Sequence, residues 1–152
     1  MTASSSPPFS KHARIRARRS AVQALYQWEM TQSSMSDVIA EFISERSELK
    51  KADAEYFCEL LKGAAGKVDE LNHEITPYLD RPLQELDPVE RAVLLVGSYE
   101  LMFHPELPWR VVVNESVELA KMFGAEKSHK YINGVMDKIA RKIRITEISS
   151  AS

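Results

Sequence analysis

The sequence is poor in the residues that cross-link small proteins or bind metals and nucleotides. Its 152 residues include one cysteine, Cys58, so no disulfide can form within the chain. The four histidines are scattered and have no partner at metal-ligand spacing, so we expect no metal site. The sequence contains no Walker loop, dinucleotide fingerprint or nucleophile-elbow serine. These absences favour a binding protein over an enzyme and predict no cofactor.

Long hydrophobic runs are also missing, and none approaches the length needed to cross a membrane. Residues 1–10 lack the charged and apolar regions of a signal peptide, so we expect a flexible tail there. A cytoplasmic location is therefore predicted, and a lone cysteine fits that reducing compartment. With 44% hydrophobic and 28% charged residues, the composition predicts one globular domain over 11–145 and a second flexible tail over 146–152.

Negative charge is missing from the start of the chain, where no carboxylate precedes Glu29. The formal net charge is −2, so this basic end makes the chain electrically asymmetric. Such a patch is typical of proteins that bind a polyanion, although short basic runs also serve only solubility. Composition alone leaves these two interpretations equally open. The basic residues concerned are Lys11, Arg14, Arg16, Arg18 and Arg19.

Ser10 is a suitable N-cap for a first helix from about Lys11 to Met30. Helical geometry places Leu25 on the same face as Arg14 and Arg18. Because a core cannot bury unpaired guanidinium groups, we predict that the first turns of this helix project beyond the core. A phosphate could then bind to the arginines, to the free amide groups and to the positive end of the helix dipole.

Two further helices are predicted before the middle of the chain. Ser36-Asp37 is a candidate cap for a short second helix, whose buried stripe would contain Val38, Ile39, Phe42 and Ile43. A long third helix is predicted over about 52–76, and Pro77 stops it. Gly63-Ala-Ala-Gly66 resembles the GXXG loop of KH domains, but no strand pattern surrounds it, so close helix packing is the favoured interpretation.

The strongest local signal is Asp87-Pro88-Val89-Glu90, which combines an N-cap, a proline at the first helical position and a capping box. The apolar helix that follows is predicted to occupy the centre of the domain. Another helix over 110–123 is closed by Gly124, and a last helix follows residues 124–133. No convincing strand is found, so the predicted fold is all-α, a compact domain of six or seven helices.

The polar segment 124–133 is the second candidate for a binding surface. Ile132 begins a buried stripe, which leaves Lys127, Lys130 and Tyr131 near the surface. Lysine and an exposed aromatic ring are the groups that hold single-stranded nucleic acid. An ordinary solvated helix start with a half-buried tyrosine is the alternative, and the spacing alone favours it.

Three segments have a specific pattern: residues 16–28, RARRSAVQALYQW; residues 77–79, PYL; and residues 113–138, VNESVELAKMFGAEKSHKYINGVMDK. Together they resemble the family of the transcription antitermination protein NusB. The last segment is long, ungapped and specific. The likeness extends over about residues 13–142.

The resemblance implies an all-helical fold of two packed three-helix units and a non-enzymatic role. NusB proteins pair with NusE, the ribosomal S10-type protein, and bind boxA sequences in the RNA of ribosomal RNA operons. The complex joins elongating RNA polymerase and resists termination. Single-stranded boxA RNA, NusE and the polymerase complex are therefore the expected partners.

The resemblance also assigns residues to these roles. The arginine-rich start maps onto Arg14, Arg16 and Arg18, the aromatic contacts map onto Tyr26 and Tyr131, and Glu90 matches a position facing NusE. Together with the residue pattern, this predicts an RNA-binding set of Lys11, Arg14, Arg16, Arg18, Arg19, Tyr26, Lys127, Ser128, Lys130 and Tyr131.

Two positions depart from the family pattern. Ile15 interrupts the arginine run, and Lys127 stands where an acidic residue is familiar. The lysine adds positive charge beside the expected RNA path. We therefore hypothesise that this chain depends less on NusE for RNA affinity than a relative with aspartate at this position.

Two alternatives remain open at this stage. NusB-like domains also precede ribosomal RNA cytosine methyltransferases, but such an enzyme needs a cofactor-binding α/β domain and a reactive cysteine. Cys58 lies between Phe57 and Leu60 in a predicted helix, where a buried inert thiol is expected. The second alternative is a protein adaptor or homodimer whose basic helix contacts an acidic protein.

Overall fold

A computed structural model describes residues 11–45, 49 and 51–151. Throughout these residues the regular structure is helical, which confirms the all-α prediction. No helix of the described residues is long and apolar enough to cross a membrane. The eight α-helices are α1 (Lys11–Thr31), α2 (Met35–Glu45), α3 (Lys51–Gly66), α4 (Val68–Ile75), α5 (Pro88–Phe103), α6 (Trp109–Phe123), α7 (Ser128–Ile143) and α8 (Ile145–Ala151), with 3-10 turns at Thr76–Tyr78 and Leu83–Glu85. The predicted tail over 1–10 lies outside the described residues.

The chain forms two compact units, Met1–Lys62 and Gly63–Ser152. We call them unit 1 and unit 2. The boundary falls within α3, so unit 1 contains α1, α2 and most of α3, whereas unit 2 contains the remaining helices.

The predicted third helix is interrupted at Lys67, which has φ −117° and ψ 24°. Backbone hydrogen bonds continue on both sides, from Lys67 N to Gly63 O at 3.0 Å and from Leu71 N to Lys67 O at 2.9 Å. Gly66 immediately precedes the interruption, and glycine has low helix propensity. The single predicted helix is therefore two helices, α3 and α4, and α4 ends at Ile75, just before Pro77.

The predicted C-terminal tail is wrong for most of its length, because Ile145–Ala151 forms α8. The carboxylate of Glu147 accepts hydrogen bonds from the backbone N–H of Trp109 at 3.2 Å and from Arg144 Nη1 at 2.6 Å. These tertiary contacts fix a segment whose own sequence has weak periodicity. Together, α8 and the interruption at Lys67 explain why the described residues form eight helices rather than six or seven.

Unit 1 buries a row of small side chains on α1. Ala13, Ala17, Ala21 and Ala24 are all buried, so the apolar stripe extends back to the first turn of the helix. The prediction that these first turns project beyond the core is therefore wrong. The prediction considered only large apolar residues, whereas alanines at helical spacing also form a buried face.

The start of α2 differs from the prediction by two residues. The hydroxyl oxygen of Ser34, not the Ser36-Asp37 pair, accepts a hydrogen bond from a first-turn amide, that of Asp37, at 3.1 Å. Val38 and Phe42 are buried as predicted, and the Phe42 and Phe57 rings stack at 5.7 Å. Ile39 is only partly buried and Ile43 is exposed, so the predicted stripe is half correct.

Unit 2 is organised around α5. The Asp87 carboxylate accepts hydrogen bonds from the N–H groups of Val89 and Glu90, which confirms the predicted N-cap. Ten consecutive residues of α5, Ala92–Leu101, are buried, and α6 and α7 both pack on this helix. A Cβ at Gly97 would lie 2.6 Å from Ser116 Oγ and 2.7 Å from Met136 Cε, so glycine permits the close approach of α6 and α7.

Gly63 and Gly66 lie in α3 rather than in a loop, so the KH interpretation is wrong and the favoured packing interpretation is correct for Gly63. A Cβ at Gly63 would lie 2.2 Å from the Tyr99 ring, whereas a Cβ at Gly66 would meet no atom within 4 Å. Tyr99 also packs against the Phe103 ring at 5.0 Å. Gly63 therefore makes room for the buried ring of Tyr99, which packs against the partly buried Phe103 in unit 2.

Candidate nucleic-acid interface

The basic side chains of α1 differ in accessibility. Lys11 is exposed, and Arg14, Arg16 and Arg19 are partly exposed, as an RNA contact requires. Arg18 is only 1% exposed and is engaged within the protein. Arg18 is therefore not among the accessible cations of α1, and its role as an RNA contact stays a prediction. Arg18 follows the buried Ala17, so it lies at the edge of the alanine face that the sequence interpretation overlooked.

Tyr26 supplies an accessible ring on α1, with 38% of its surface exposed. Arg19 is seven residues earlier, which corresponds to about two helical turns, so both side chains lie on one face about 10 Å apart along the axis. A guanidinium and an aromatic ring at this separation can contact a phosphate and a base of the same strand.

Tyr131, in the first turn of α7, is held by its hydroxyl group. The phenol donates a hydrogen bond to Asp80 Oδ1 at 3.1 Å. Asp80 also accepts two hydrogen bonds from Arg81, from Nε at 2.9 Å and from Nη2 at 3.0 Å. Asp80 and Arg81 thus fix one end of a ring whose other parts remain partly exposed.

The pKa shifts of Asp80 and Tyr131 agree with these hydrogen bonds. The hydrogen bond from Arg81 is the main cause that lowers the pKa of Asp80, and the bond from Tyr131 adds to it. Burial, followed by the hydrogen bond to Asp80, raises the pKa of Tyr131. At neutral pH the carboxylate is therefore ionised and the phenol protonated, as the hydrogen bond requires.

Ser128 forms a link between two helix starts and does not face solvent. Its side chain is buried, with 5% exposure, and its Oγ donates a hydrogen bond to Glu90 Oε2 at 2.5 Å. The hydroxyl connects α7 to α5 and is not among the accessible groups, so the RNA contact by Ser128 stays a prediction. Glu90 is partly exposed, and its assignment to the NusE-facing surface stays a prediction.

The turn before α7 has an unusual backbone that exposes lysine. Lys127 adopts a left-handed conformation with φ 75°, and both Lys127 and Lys130 are exposed. Gly124 has φ −87° and an extended conformation, so no left-handed cap explains it. A Cβ at Gly124 would lie 2.7 Å from Ala120 O and 2.9 Å from Ser128 Cβ, so the tight turn itself requires glycine.

The described residues provide neither a metal-binding cluster nor a reactive thiol. They contain no group of three or more histidine, cysteine, aspartate or glutamate side chains that could hold a metal ion. Burial raises the pKa of the Cys58 thiol, despite the opposing charge of Lys62. Cys58 is therefore a poor nucleophile at neutral pH, which agrees with the inert thiol expected from sequence.

Comparison with known proteins identifies the family. A sequence model of the NusB family matches residues 15–141. The chain belongs to the NusB family. The transcription antitermination protein NusB of Alcanivorax borkumensis is 49% identical over 142 residues, which cover 93% of this chain and 94% of that protein. NusB of Nitrosococcus oceani is 47% identical over 137 residues, 90% of this chain and 91% of that protein.

Solved structures share the fold. NusB of T. maritima is 30% identical, with a TM-score of 0.78 over 85% of this chain and 91% of that chain. NusB in a crystal structure with NusE and double-stranded RNA is 28% identical, with a TM-score of 0.80 over 88% of this chain and 99% of that chain. The predicted family, fold and role in transcription antitermination are confirmed, and the family is one of antitermination factors rather than enzymes.

Proposed function

We propose that this NusB protein acts in the cytoplasm by binding boxA-type single-stranded RNA together with NusE, and so supports antitermination on ribosomal RNA operons. The observation that carries the proposal is the start of α7. Lys127 and Lys130 are exposed there, and the partly exposed ring of Tyr131 follows Lys130 directly in the chain. The hydroxyl group of Tyr131 is hydrogen-bonded to Asp80.

These groups match the chemistry of single-stranded RNA. Lysine and arginine contact phosphates, while bases stack on aromatic rings with about 1–3 kcal/mol per base. The α1 set supplies the same two functions through Arg14, Arg16, Arg19 and Tyr26, all at least partly accessible. Each unit of the protein therefore offers both a cation and a ring.

The proposed protein partner is NusE, which joins the complex with RNA polymerase. A NusB relative with the same fold was crystallised with NusE and RNA. Glu90 lies in the first turn of α5, where it is partly exposed while accepting the hydrogen bond from Ser128. We assign Glu90 to the NusE-facing surface, and this position ties that surface to the start of α7.

The direct test is a filter-binding titration with a boxA RNA and a scrambled RNA of equal length, with and without NusE. With about four phosphate contacts, from Arg14, Arg16, Arg19 and one lysine, the logarithm of affinity should fall with the logarithm of salt concentration with a slope near −3, steeper by about 0.7 for each further contact. We expect boxA to bind more tightly than the scrambled RNA. Equal affinities under both conditions would favour the adaptor or homodimer interpretation, and a flat salt response would refute the phosphate contacts.

Lys127 is expected to favour RNA binding at the expense of stability. Lysine is strained in a left-handed conformation, whereas aspartate and asparagine tolerate it. Lys127→Asp and Lys127→Asn should therefore each raise the free energy of unfolding by about 0.5–1 kcal/mol. Without NusE, we expect boxA affinity to fall about tenfold in the aspartate variant, which adds repulsion, and less in the asparagine variant.

Urea unfolding and boxA titration without NusE measure these two effects on the same samples. Lys121→Asn is the control, because Lys121 is an exposed lysine on α6 that pairs with Glu118. Unchanged RNA affinity in Lys127→Asp would sink the hypothesis that Lys127 reduces the dependence on NusE.

A further inference from the structure

A basic stripe runs along one face of α7, defined as Lys127 in the turn before the helix and Lys130, Lys138 and Arg141 within it. At about 100° per residue, the three helical residues lie within about 40° of the direction of Gly134, which lies between Lys130 and Lys138. All four side chains are exposed. The helical part of the stripe, from Lys130 to Arg141, is about 17 Å long, from the rise of a helix over roughly eleven residues.

The charge of the stripe faces solvent largely uncompensated. Of the described carboxylates, none forms an ion pair with Lys127, Lys130 or Lys138. Arg141 pairs with Asp137 at 2.8 Å, and its guanidinium lies 5.3 Å from the centre of the Trp109 ring. Arg141 is thereby held in place at the far end of the stripe from Tyr131.

Gly134 has no structural reason to be glycine within this chain. A Cβ there would meet no atom within 4 Å, and no described glycine has a positive φ. An alanine in the interior of an exposed helix is more stable than glycine. The glycine instead leaves bare backbone between the two pairs of cations, so that a ligand can lie close to the helix.

We propose that single-stranded RNA continues from Tyr131 along this stripe, crosses α7 at Gly134 and places phosphates beside Lys138 and Arg141. The inference rests on the proposed RNA-binding function and extends it by almost three turns of helix. Positive charge favours the RNA backbone over an apolar protein surface. The stripe is also continuous with the cations and the ring already assigned to RNA.

The first test uses Gly134→Gln, which adds a neutral side chain at the centre of the stripe. Gly66→Gln is the matched control, because Gly66 is also an exposed helical glycine with open space around its Cβ. We expect Gly134→Gln to raise Tm by a few degrees or leave it unchanged, and to weaken boxA binding in the presence of NusE about fivefold or more. Gly66→Gln should leave RNA affinity unchanged.

The second test uses Lys138→Gln with Lys121→Gln as its control. Loss of one phosphate contact should make the salt slope less steep by about 0.7 and weaken binding to boxA and scrambled RNA alike. Lys121→Gln should retain the wild-type slope. NusE affinity in the absence of RNA is measured for every variant.

The outcomes separate this inference from the proposed function. If the wild type binds boxA while Gly134→Gln and Lys138→Gln match it in affinity and slope, the stripe is not part of the RNA path. If Gly134→Gln weakens NusE binding without RNA, the stripe is a protein-binding surface and the inference is overturned. If the wild type shows no RNA binding with NusE, the proposed function fails and the inference fails with it.

Discussion

Replacing Arg144 with leucine is expected to lower the free energy of unfolding by about 3–5 kcal/mol. The side chain is only 6% exposed, yet its guanidinium is fully surrounded by acceptors. It donates to the backbone oxygens of Leu101 at 2.8 Å, Leu107 at 2.7 Å, His104 at 3.0 Å and Glu100 at 3.4 Å, and to Glu147 Oε1 at 2.6 Å. Leucine would leave the oxygens of Leu101 and Leu107 without this donor, whereas those of Glu100 and His104 also accept from the backbone N–H groups of His104 and Leu107.

Arginine is required here because the acceptors are spread around a plane. The carbonyl groups in the last turn of α5 form the negative end of its dipole, and the one of Leu101 lies too close to the helix end to find a partner within the helix. A planar guanidinium can donate to several of them at once, whereas an ammonium group is a single point of charge. Arg144→Lys should therefore recover only part of the loss and remain about 2 kcal/mol less stable than the wild type.

Urea unfolding followed by circular dichroism measures both variants. Arg141→Lys is the control, because Arg141 is an exposed arginine in the last turn of α7, just before Arg144, and its ion pair with Asp137 should contribute less than about 1 kcal/mol. The proposed role of Arg144 would be wrong if Arg144→Leu unfolded within 1 kcal/mol or so of the Arg141→Lys control.

The helices predicted most accurately are those with local signals. α5 begins where Asp87 and Pro88 place it, because a cap and a proline act on adjacent backbone groups. α8 was missed because its stability depends on Arg144 and on Trp109, which is 38 residues from Glu147. No pattern within Ile145–Ala151 reports a contact at that separation.

The candidate site shows the same limit. Charge and residue type identified Lys127, Lys130 and Tyr131, which the structure places at an accessible helix start. Charge and residue type did not distinguish the buried Arg18 from the accessible arginines beside it. Arg18 is buried beside a face of alanines, and alanines contribute little to a hydrophobicity pattern. Polar residues such as Ser128 are equally ambiguous, since the sequence does not show which hydroxyl will find an internal acceptor.

Asp80 and Arg81 were not predicted at all as parts of the site. The motif Pro77-Tyr-Leu ends just before them, and 51 residues separate Asp80 from Tyr131. Only the packing of the segment after α4 beside α7 brings the carboxylate to the phenol. Their role is to orient the ring that the sequence identified.

Tyr131→Ala is expected to weaken boxA binding in the presence of NusE by about 5- to 150-fold, because one stacked base contributes about 1–3 kcal/mol. Tyr131→Phe keeps the ring and removes only the hydrogen bond to Asp80. If stacking dominates, the phenylalanine variant should bind within about threefold of the wild type, since a partly exposed hydrogen bond contributes little.

Filter binding at several salt concentrations measures the effect and separates stacking from charge. Tyr131→Ala should keep the wild-type salt slope, because a neutral ring releases no counterions when it binds a base. The phenol is also protonated at neutral pH, since burial raises the pKa of Tyr131, so the ring carries no charge in the assay. A Tyr131→Ala variant that folds normally and binds boxA like the wild type would exclude stacking on this ring, whereas equal losses in both variants would assign the affinity to the hydroxyl group.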